Sequence, residues 1–206
     1  GKYRLLALLG EGAMGVVYRA EQLDSEGEVL REVALKMIQA GFSRDPSFAR
    51  RFLREVRVAA KLRSPHAVTV YDTGQTDDGL VYYAMEIIHG RTLREVMEQE
   101  SPFSLERVVQ LVVQVCEALA EAHGLAEPIV HRDLKPANIF VEERRGREWV
   151  NVGDFGIAKV LGEETSGLTH TGASPGTPRY MAPEQWKGER IDGRADLYAL
   201  GVILYE

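Results

Sequence analysis

The sequence predicts an α+β fold with two lobes, in which a small antiparallel β-sheet lobe with one helix precedes a mainly helical lobe. Two observations support this prediction. Before residue 87, strand-like segments and a glycine-rich turn surround a single helical stripe at 48–61. After residue 88 the pattern becomes helical, and a long apolar segment occupies 105–126. We therefore expect a first lobe at 1–87 and a second lobe at 88–206.

The composition is that of an ordinary globular chain and argues against some partners. Of the 206 residues, 45% are hydrophobic and 27% charged, and the formal net charge is -6. No stretch concentrates basic residues, so we expect no nucleic-acid partner. No apolar run could cross a bilayer and the N-terminus lacks a signal-peptide core, so we expect a cytoplasmic segment without membrane contact. The chain starts without Met and stops inside an apolar run, which predicts that its helical lobe is incomplete.

A glycine-rich turn near the start is the first candidate for ligand binding. Residues 10–15 read GEGAMG, and the next five, VVYRA, are strand-like. A dinucleotide fold needs a helix at this point, and a P-loop needs Lys and Ser/Thr where Val16 and Val17 stand. What remains is a hairpin whose backbone N–H groups could contact phosphate oxygens, and a plain tight hairpin fits equally well.

A lysine and a glutamate are expected to point into the first lobe. Lys36 is the single charge in the strand-like segment 33–38, and a buried ammonium group is costly without an anionic partner. Considered without other residues, Lys36 is better explained as a lysine on an edge strand whose ammonium group reaches solvent. Glu55 lies in the same helical stripe as Phe48 and Phe52 and should also face inward. The two suggest an ion pair that positions Lys36 for a phosphate group.

The segment 105–126 predicts a helix at the centre of the second lobe. Its apolar residues lie on most sides of the helix, and Ser104 is the expected N-cap. We expect this helix to be buried, and the lone cysteine, Cys116, to be a buried structural thiol.

The most specific motif is a polar loop after this helix. Residues 131–138 read HRDLKPAN, which fits the pattern HRDxxxxN at every defining position. Asp133 can accept the proton of an attacking hydroxyl, and Asn138 can offer an amide oxygen to Mg²⁺. Lys135 can neutralise charge on a transferred phosphoryl group. These residues predict phosphoryl transfer.

Three further motifs follow in a fixed order. Residues 154–156 read DFG directly after a strand-like segment, which places Asp154 at a strand end as a candidate metal ligand. Residues 176–184 read GTPRYMAPE, and 196–201 read DLYALG at the start of an apolar helix. Each short motif is weak alone, and the prediction depends on their order.

With these motifs the sequence resembles the eukaryotic-type protein kinases from residue 9 to residue 206. The resemblance implies the bilobal protein-kinase fold, with ATP and Mg²⁺ as cofactors. It implies that Glu55 holds Lys36 on the ATP phosphates, that Asp133 is the catalytic base, and that Asp196 braces the catalytic loop. The metal ligands would be Asn138 and Asp154. The other ATP-binding residues would be Gly10, Gly12 and Gly15 at the phosphates, Leu9, Val17, Ala34, Met85 and Phe140 around adenine, and Glu86 and Ile88 at the hinge.

The resemblance also implies a substrate class and a switch. Lys135 and Thr177 are similar to serine/threonine kinases, and the wording of 176–185 looks like the bacterial branch. The resemblance therefore implies protein substrates that carry Ser or Thr, and self-association for autophosphorylation. The full-length proteins of this branch often carry a transmembrane segment. Thr177 would form the substrate platform. The candidate regulatory residues are the phosphoacceptors Thr169 and Thr171 and their phosphate ligands Arg132 and Lys159.

Two other classes share parts of this pattern. A pseudokinase or scaffold, or an inactive kinase fragment, would keep the fold without phosphoryl transfer, and its usual sign is a lost catalytic residue. The residues whose loss would mark a pseudokinase are all present: Lys36, Asp133, Asn138 and Asp154. A small-molecule phosphotransferase of related fold predicts no activation segment, whereas this chain has a hydroxyl-rich one between DFG and APE.

Overall fold

The computed structural model describes residues 1–12, 14–43, 45–156 and 178–206. Within it the chain divides into two compact units, which are described separately. The first unit comprises Gly1–Lys61 and Thr69–Ile87, and the second comprises Leu62–Val68 and Ile88–Glu206. The segment Leu62–Val68 thus packs with the second unit, although it lies inside the first range expected from the sequence.

The first unit is built on a five-stranded antiparallel sheet with the strand order β1-β2-β3-β5-β4. Its strands are β1 (Tyr3–Gly12), β2 (Gly15–Leu23), β3 (Val29–Ile38), β4 (Val70–Gln75) and β5 (Val81–Met85). Two helices lie between β3 and β4: the single turn α1 (Ala40–Ser43) and the longer α2 (Pro46–Ala59). Asp45 caps α2, because its side chain accepts a hydrogen bond from the backbone N–H of Ser47 at 2.8 Å.

Aromatic rings join α2 to the sheet. Phe48 and Phe52 are fully buried and stack on each other with ring centroids 5.8 Å apart. Phe52 also meets the ring of Tyr83 on β5 at 6.1 Å. Burying each of these side chains contributes about 2 kcal/mol. This packing fixes the face of α2 that carries Glu55.

The second unit combines helices with a three-stranded antiparallel sheet in the order β6-β7-β8. Its strands are β6 (Arg91–Thr92), β7 (Ile139–Arg144) and β8 (Arg147–Val152). Its helices are α3 (Leu93–Glu100), α4 (Leu105–Gly124), α5 (Pro183–Trp186) and α6 (Arg194–Tyr205), and short 3₁₀ turns occupy Pro136–Asn138 and Pro178–Tyr180. The expected α+β architecture is confirmed.

The central helix α4 differs from its expected burial. Ser104 caps it as expected, because its hydroxyl accepts from the backbone N–H of Arg107. Gln114 fastens one side of α4 to β8 by bonding both the Glu148 carbonyl and the Val150 N–H. The expectation of burial on most sides is wrong, because within the described residues α4 buries one face and leaves the apolar side chains of Leu105, Val109 and Val113 exposed. The expectation that Cys116 is a buried thiol is also wrong, because Cys116 is exposed.

A helix that crosses a bilayer must be both long and apolar. Among the helices of the described ranges, none combines the length and the apolar character required to cross a bilayer.

The glycine turn yields a prediction about stability. A Cβ on Gly15 would clash with the carbonyl oxygen of Met37, whereas a Cβ on Gly10 or Gly12 would meet no atom of the described residues within 4 Å. Gly15→Ala should therefore lower the free energy of unfolding by about 2 kcal/mol, because β2 must move away from β3. Chemical denaturation of the purified protein measures this change.

Gly12→Ala is the matched control for that experiment. It adds the same methyl group to the same turn without a clash, so its free energy of unfolding should stay within about 0.5 kcal/mol of the wild type. Equal losses in the two variants would show that close packing does not explain Gly15.

Candidate active site

Lys36 lies in the interior of the first unit's sheet. Strand β3 pairs with β2 on one side and β5 on the other, with Lys36 opposite Val17 and Tyr83. Only 8% of Lys36 is exposed. A lysine reaching solvent from a strand edge is therefore excluded, because β3 is not an edge strand. Glu55 is half-buried on α2, and its pairing with Lys36 stays a prediction.

The glycine turn joins β1 to β2. Gly12 pairs with Gly15, and Gly10 pairs with Val17. Because β2 begins at Gly15, no helix follows the last glycine, and the dinucleotide and P-loop alternatives are excluded. The space around Gly10 and Gly12 is open enough for a ligand to approach the backbone.

The residues expected around adenine lie on both units. In the first unit, Ala34 is paired with Met85, and Leu9 is exposed on β1. The N–H of Glu86 donates to the Thr69 carbonyl at 2.9 Å, so a hydrogen bond from Glu86 to a base would have to use its carbonyl. In the second unit, Ile88 and Phe140 are half-buried.

The loop 131–138, which is the catalytic loop implied by the resemblance, holds Asp133 between two polar side chains. Its Oδ2 accepts from Lys135 Nζ at 2.7 Å and from Asn138 Nδ2 at 3.3 Å. The same Asn138 nitrogen donates to the Asp133 backbone carbonyl at 2.8 Å. This contact holds the Asn138 amide with its nitrogen toward Asp133, so that its oxygen is the end left to meet a cation.

The second candidate metal ligand is tied to the first through the backbone. The N–H of Gly153 donates to the Asn138 carbonyl at 2.9 Å, and Asp154 follows with a left-handed φ of 58°. An amide oxygen and a carboxylate are hard donors of the kind that Mg²⁺ takes, so the residues fit that ion. A left-handed conformation is costly for a residue other than glycine, which marks Asp154 as a constrained position.

His131 links the catalytic loop to the DFG segment. It is fully buried, its ring meets Phe155 at 4.9 Å, and its Nε2 lies 2.8 Å from the Gly153 carbonyl oxygen. Because a carbonyl only accepts, Nε2 carries the proton and Nδ1 is left as an acceptor. Nδ1 faces the N–H of Asp133 at 3.4 Å. His131 thus orients both motifs.

Asp196 anchors this loop from beneath. It is only 1% exposed, and its oxygens accept from the backbone N–H groups of His131 and Arg132, each at 2.8 Å. His123 Nε2 donates to the same carboxylate at 2.8 Å. Arg132 has a φ of 69°, which for an arginine costs about 1–3 kcal/mol and persists only where the surroundings fix it.

Two side chains that contact this loop or its anchor were not predicted from the sequence. His123 lies near the end of α4 and packs on Gly193, where a Cβ would come within 2.6 Å of its Nδ1. Gln185 on α5 donates to the backbone carbonyl of Arg132 at 2.8 Å. Neither has a local sequence signal, since a lone His and a lone Gln are ordinary in helices. The predicted residues Lys159, Thr169, Thr171 and Thr177 lie outside the described residues.

The chain is similar to proteins of one known family. The protein kinase domain family matches residues 3–206. The chain belongs to this family. The kinase Pkn3 of Myxococcus xanthus is 45% identical over the whole chain, and PknB of Mycobacterium tuberculosis is 40% identical; both are named serine/threonine-protein kinases. The chain covers 37% and 32% of their lengths, so it spans about a third of the curated relatives it matches.

A solved kinase structure shares the fold. The crystal structure of the Mycobacterium tuberculosis PknI kinase domain matches with a TM-score of 0.74 and 34% identity, over 97% of this chain and 71% of that one. The resemblance to bacterial serine/threonine kinases inferred from the motifs is thereby confirmed, and so is the protein-kinase fold. Kinases of this family use ATP and act on protein substrates.

Asp196 yields a prediction with an internal control. In Asp196→Asn the new NH₂ group cannot accept, so at least one buried N–H loses its partner, and the free energy of unfolding should fall by about 3 kcal/mol. Asp192→Asn makes the same change at an exposed residue whose contacts are with neighbouring Arg194, and should cost less than about 0.5 kcal/mol. If the denaturation curves of the two variants coincided, Asp196 would not be the anchor of this loop.

Proposed function

We propose that this chain is the catalytic domain of a serine/threonine protein kinase, which transfers the γ-phosphoryl group of ATP to Ser and Thr hydroxyls of proteins. The observation that carries the proposal is the placement of Asp133, whose carboxylate is held by Lys135 and Asn138 within a constrained loop. The first unit is proposed to be the N-lobe and the second the C-lobe.

Asp133 is the proposed general base. As the substrate hydroxyl oxygen bonds to the γ-phosphorus, the bond to the bridging oxygen of ADP breaks and the hydroxyl proton passes to the Asp133 carboxylate. Lys135 lies 2.7 Å from Asp133 and can neutralise charge on the phosphoryl group as it moves. The ammonium also keeps Asp133 in one orientation.

Asn138 and Asp154 are the proposed ligands of Mg²⁺. The ion would supply charge neutralisation at the β- and γ-phosphates. The hydrogen bond from the Gly153 N–H to the Asn138 carbonyl holds the backbone next to Asp154 against that of Asn138. His131, through its contact with the Gly153 carbonyl, adds a second restraint.

The first unit is proposed to bind the nucleotide. Lys36 contacts the α- and β-phosphates with Glu55 holding it in place, and Gly10, Gly12 and Gly15 bring backbone N–H groups to the phosphates. The burial of Lys36 in an interior strand supports this role, because an ammonium there needs anions. Adenine would lie against Val17, Ala34 and the other apolar residues expected around it.

A phosphorylation switch extends the proposal. Phosphate on Thr169 or Thr171 would be held by Arg132 and Lys159, and the acceptor would reside on a second copy of the kinase during autophosphorylation. Arg132 supports this, since it precedes the catalytic base directly and its backbone is fixed on both sides. Since ATP is the phosphoryl donor, the proposed place of action is the cytoplasm.

The catalytic prediction concerns Asp133. In the full-length protein, Asp133→Asn should lower kcat for phosphorylation of a protein substrate by about two to four orders of magnitude, because the proton has no acceptor. Mass spectrometry after incubation with Mg·ATP gives the extent of transfer.

ATP binding should survive in Asp133→Asn, whereas Lys36→Met should lose activity through misplaced phosphates. Near-normal turnover of Asp133→Asn would remove Asp133 from the mechanism, and a wild type that transfers no phosphate would favour a pseudokinase.

The switch has its own prediction. The double variant Thr169→Ala/Thr171→Ala should lose about tenfold or more of its activity toward added substrate while still binding ATP, because the segment lacks its anionic tether. Phosphopeptide mapping of the wild type should find phosphate on this pair. A variant as active as the wild type, or a map without either threonine, would rule the switch out.

A further inference from the structure

Two side chains from distant parts of the sequence hold the backbone on either side of Arg132, the residue before the proposed catalytic base. Arg132 donates its N–H to Asp196 Oδ1 at 2.8 Å and accepts at its carbonyl from Gln185 Nε2 at 2.8 Å. Its φ of 69° is unusual for a residue with a side chain. Asp196 is the brace that the family resemblance implies, whereas Gln185 has no assigned role.

Gln185 holds this position because each end of its amide has a partner. Its Oε1 accepts from the backbone N–H of Ala182 at 3.0 Å, while its Nε2 donates to the Arg132 carbonyl. The N–H can only donate and the carbonyl can only accept, so a single orientation of the amide satisfies both. Gln185 therefore bridges the segment that begins α5 and the catalytic loop.

The bridge acts on Asp133 through peptide geometry. The Arg132 carbonyl and the Asp133 N–H belong to one planar peptide group, so a contact that holds the carbonyl also restrains the plane that contains the Asp133 Cα, from which the side chain extends. Lys135 and Asn138 hold the far end of that side chain. The base is thus restrained from both ends.

Local helix capping does not explain the choice of glutamine. Gln185 is the third residue of α5, a position where Glu would accept from Ala182 equally well and would add a favourable charge near the helix start. Only glutamine also offers a donor to the Arg132 carbonyl. The residue type therefore fits the contact with the catalytic loop better than the cap.

We propose that Gln185 is a positioning residue for Asp133. Through Gln185, the segment that contains residues 182–184, which read APE, is coupled to the orientation of the catalytic base. The proposal rests on the proposed kinase function for its kinetic consequence. The hydrogen bonds that carry it stand independently of activity.

The decisive variant is Gln185→Glu in the full-length protein. It keeps the acceptor for Ala182 but places a carboxylate oxygen against the Arg132 carbonyl, so the loop contact is lost while the cap remains. We expect kcat to fall about tenfold, with the KM for ATP changed less than about twofold and a smaller loss of melting temperature than in Gln185→Met. Gln185→Met loses both contacts and should reduce kcat similarly while also lowering the melting temperature.

Gln110→Glu is the matched control, because Gln110 is exposed on α4 and its side chain contacts Glu106 on the same helix. Its kinetics should equal those of the wild type. If Gln185→Glu is as active as Gln110→Glu, Gln185 serves only as a cap and the proposal is wrong. The proposal is equally wrong if Gln185→Glu loses activity only through a weaker KM for ATP.

Hydrogen exchange decides the proposal without any activity. In Gln185→Glu the peptide that covers 131–134 should exchange about tenfold faster than in the wild type, while peptides from the first unit stay unchanged. An unchanged rate at 131–134 would overturn the proposal even in an active kinase. A wild type without phosphoryl transfer would instead refute the proposed function, and the exchange rates would still decide the role of Gln185.

Discussion

The proposed catalytic loop of this protein kinase domain depends on one buried carboxylate. Asp196 is almost completely removed from solvent, a situation that is costly for a charged group unless its oxygens are fully bonded. Two backbone N–H groups and the ring of His123 supply those bonds. In return, the carboxylate fixes a backbone conformation at Arg132 that the chain would otherwise avoid.

From this anchor a continuous set of hydrogen bonds extends to the proposed chemistry. Asp133 follows Arg132 directly, Asn138 binds both the backbone and the side chain of Asp133, and Gly153 binds the carbonyl of Asn138. His131 closes the path, because its backbone meets Asp196 and its ring meets Gly153. The proposed base and both candidate metal ligands therefore depend on one network, and removing a single member is expected to affect the others.

Much of this arrangement could be predicted because its parts are local in sequence. The loop 131–138 carries its chemistry at fixed spacing, and Ser104 indicates the start of α4 through ordinary capping. The inward direction of Lys36 could be predicted because it is a single charge in an apolar strand. Whether that strand lies at the edge or in the interior of the sheet could not be predicted. That location depends on strand order, which brings β5 beside β3 from far along the chain.

Other features depend on tertiary contacts that no local pattern encodes. The bond from His123 to Asp196 spans 73 positions, and the bond from Gln185 to Arg132 spans 53. The burial of α4 was overestimated for the same reason, because an apolar side chain does not say which face of its helix finds a partner. Residues that position others are thus harder to predict than residues that react.

The most direct measurement of the anchor is amide hydrogen exchange by NMR on the wild-type protein. We predict that the N–H groups of His131 and Arg132 exchange at least about a thousandfold more slowly, after correction for intrinsic rates, than that of Gly146 in the exposed β7–β8 turn. Rates comparable to that of Gly146 would show that the loop is not held by Asp196, and would contradict the central role given to this carboxylate.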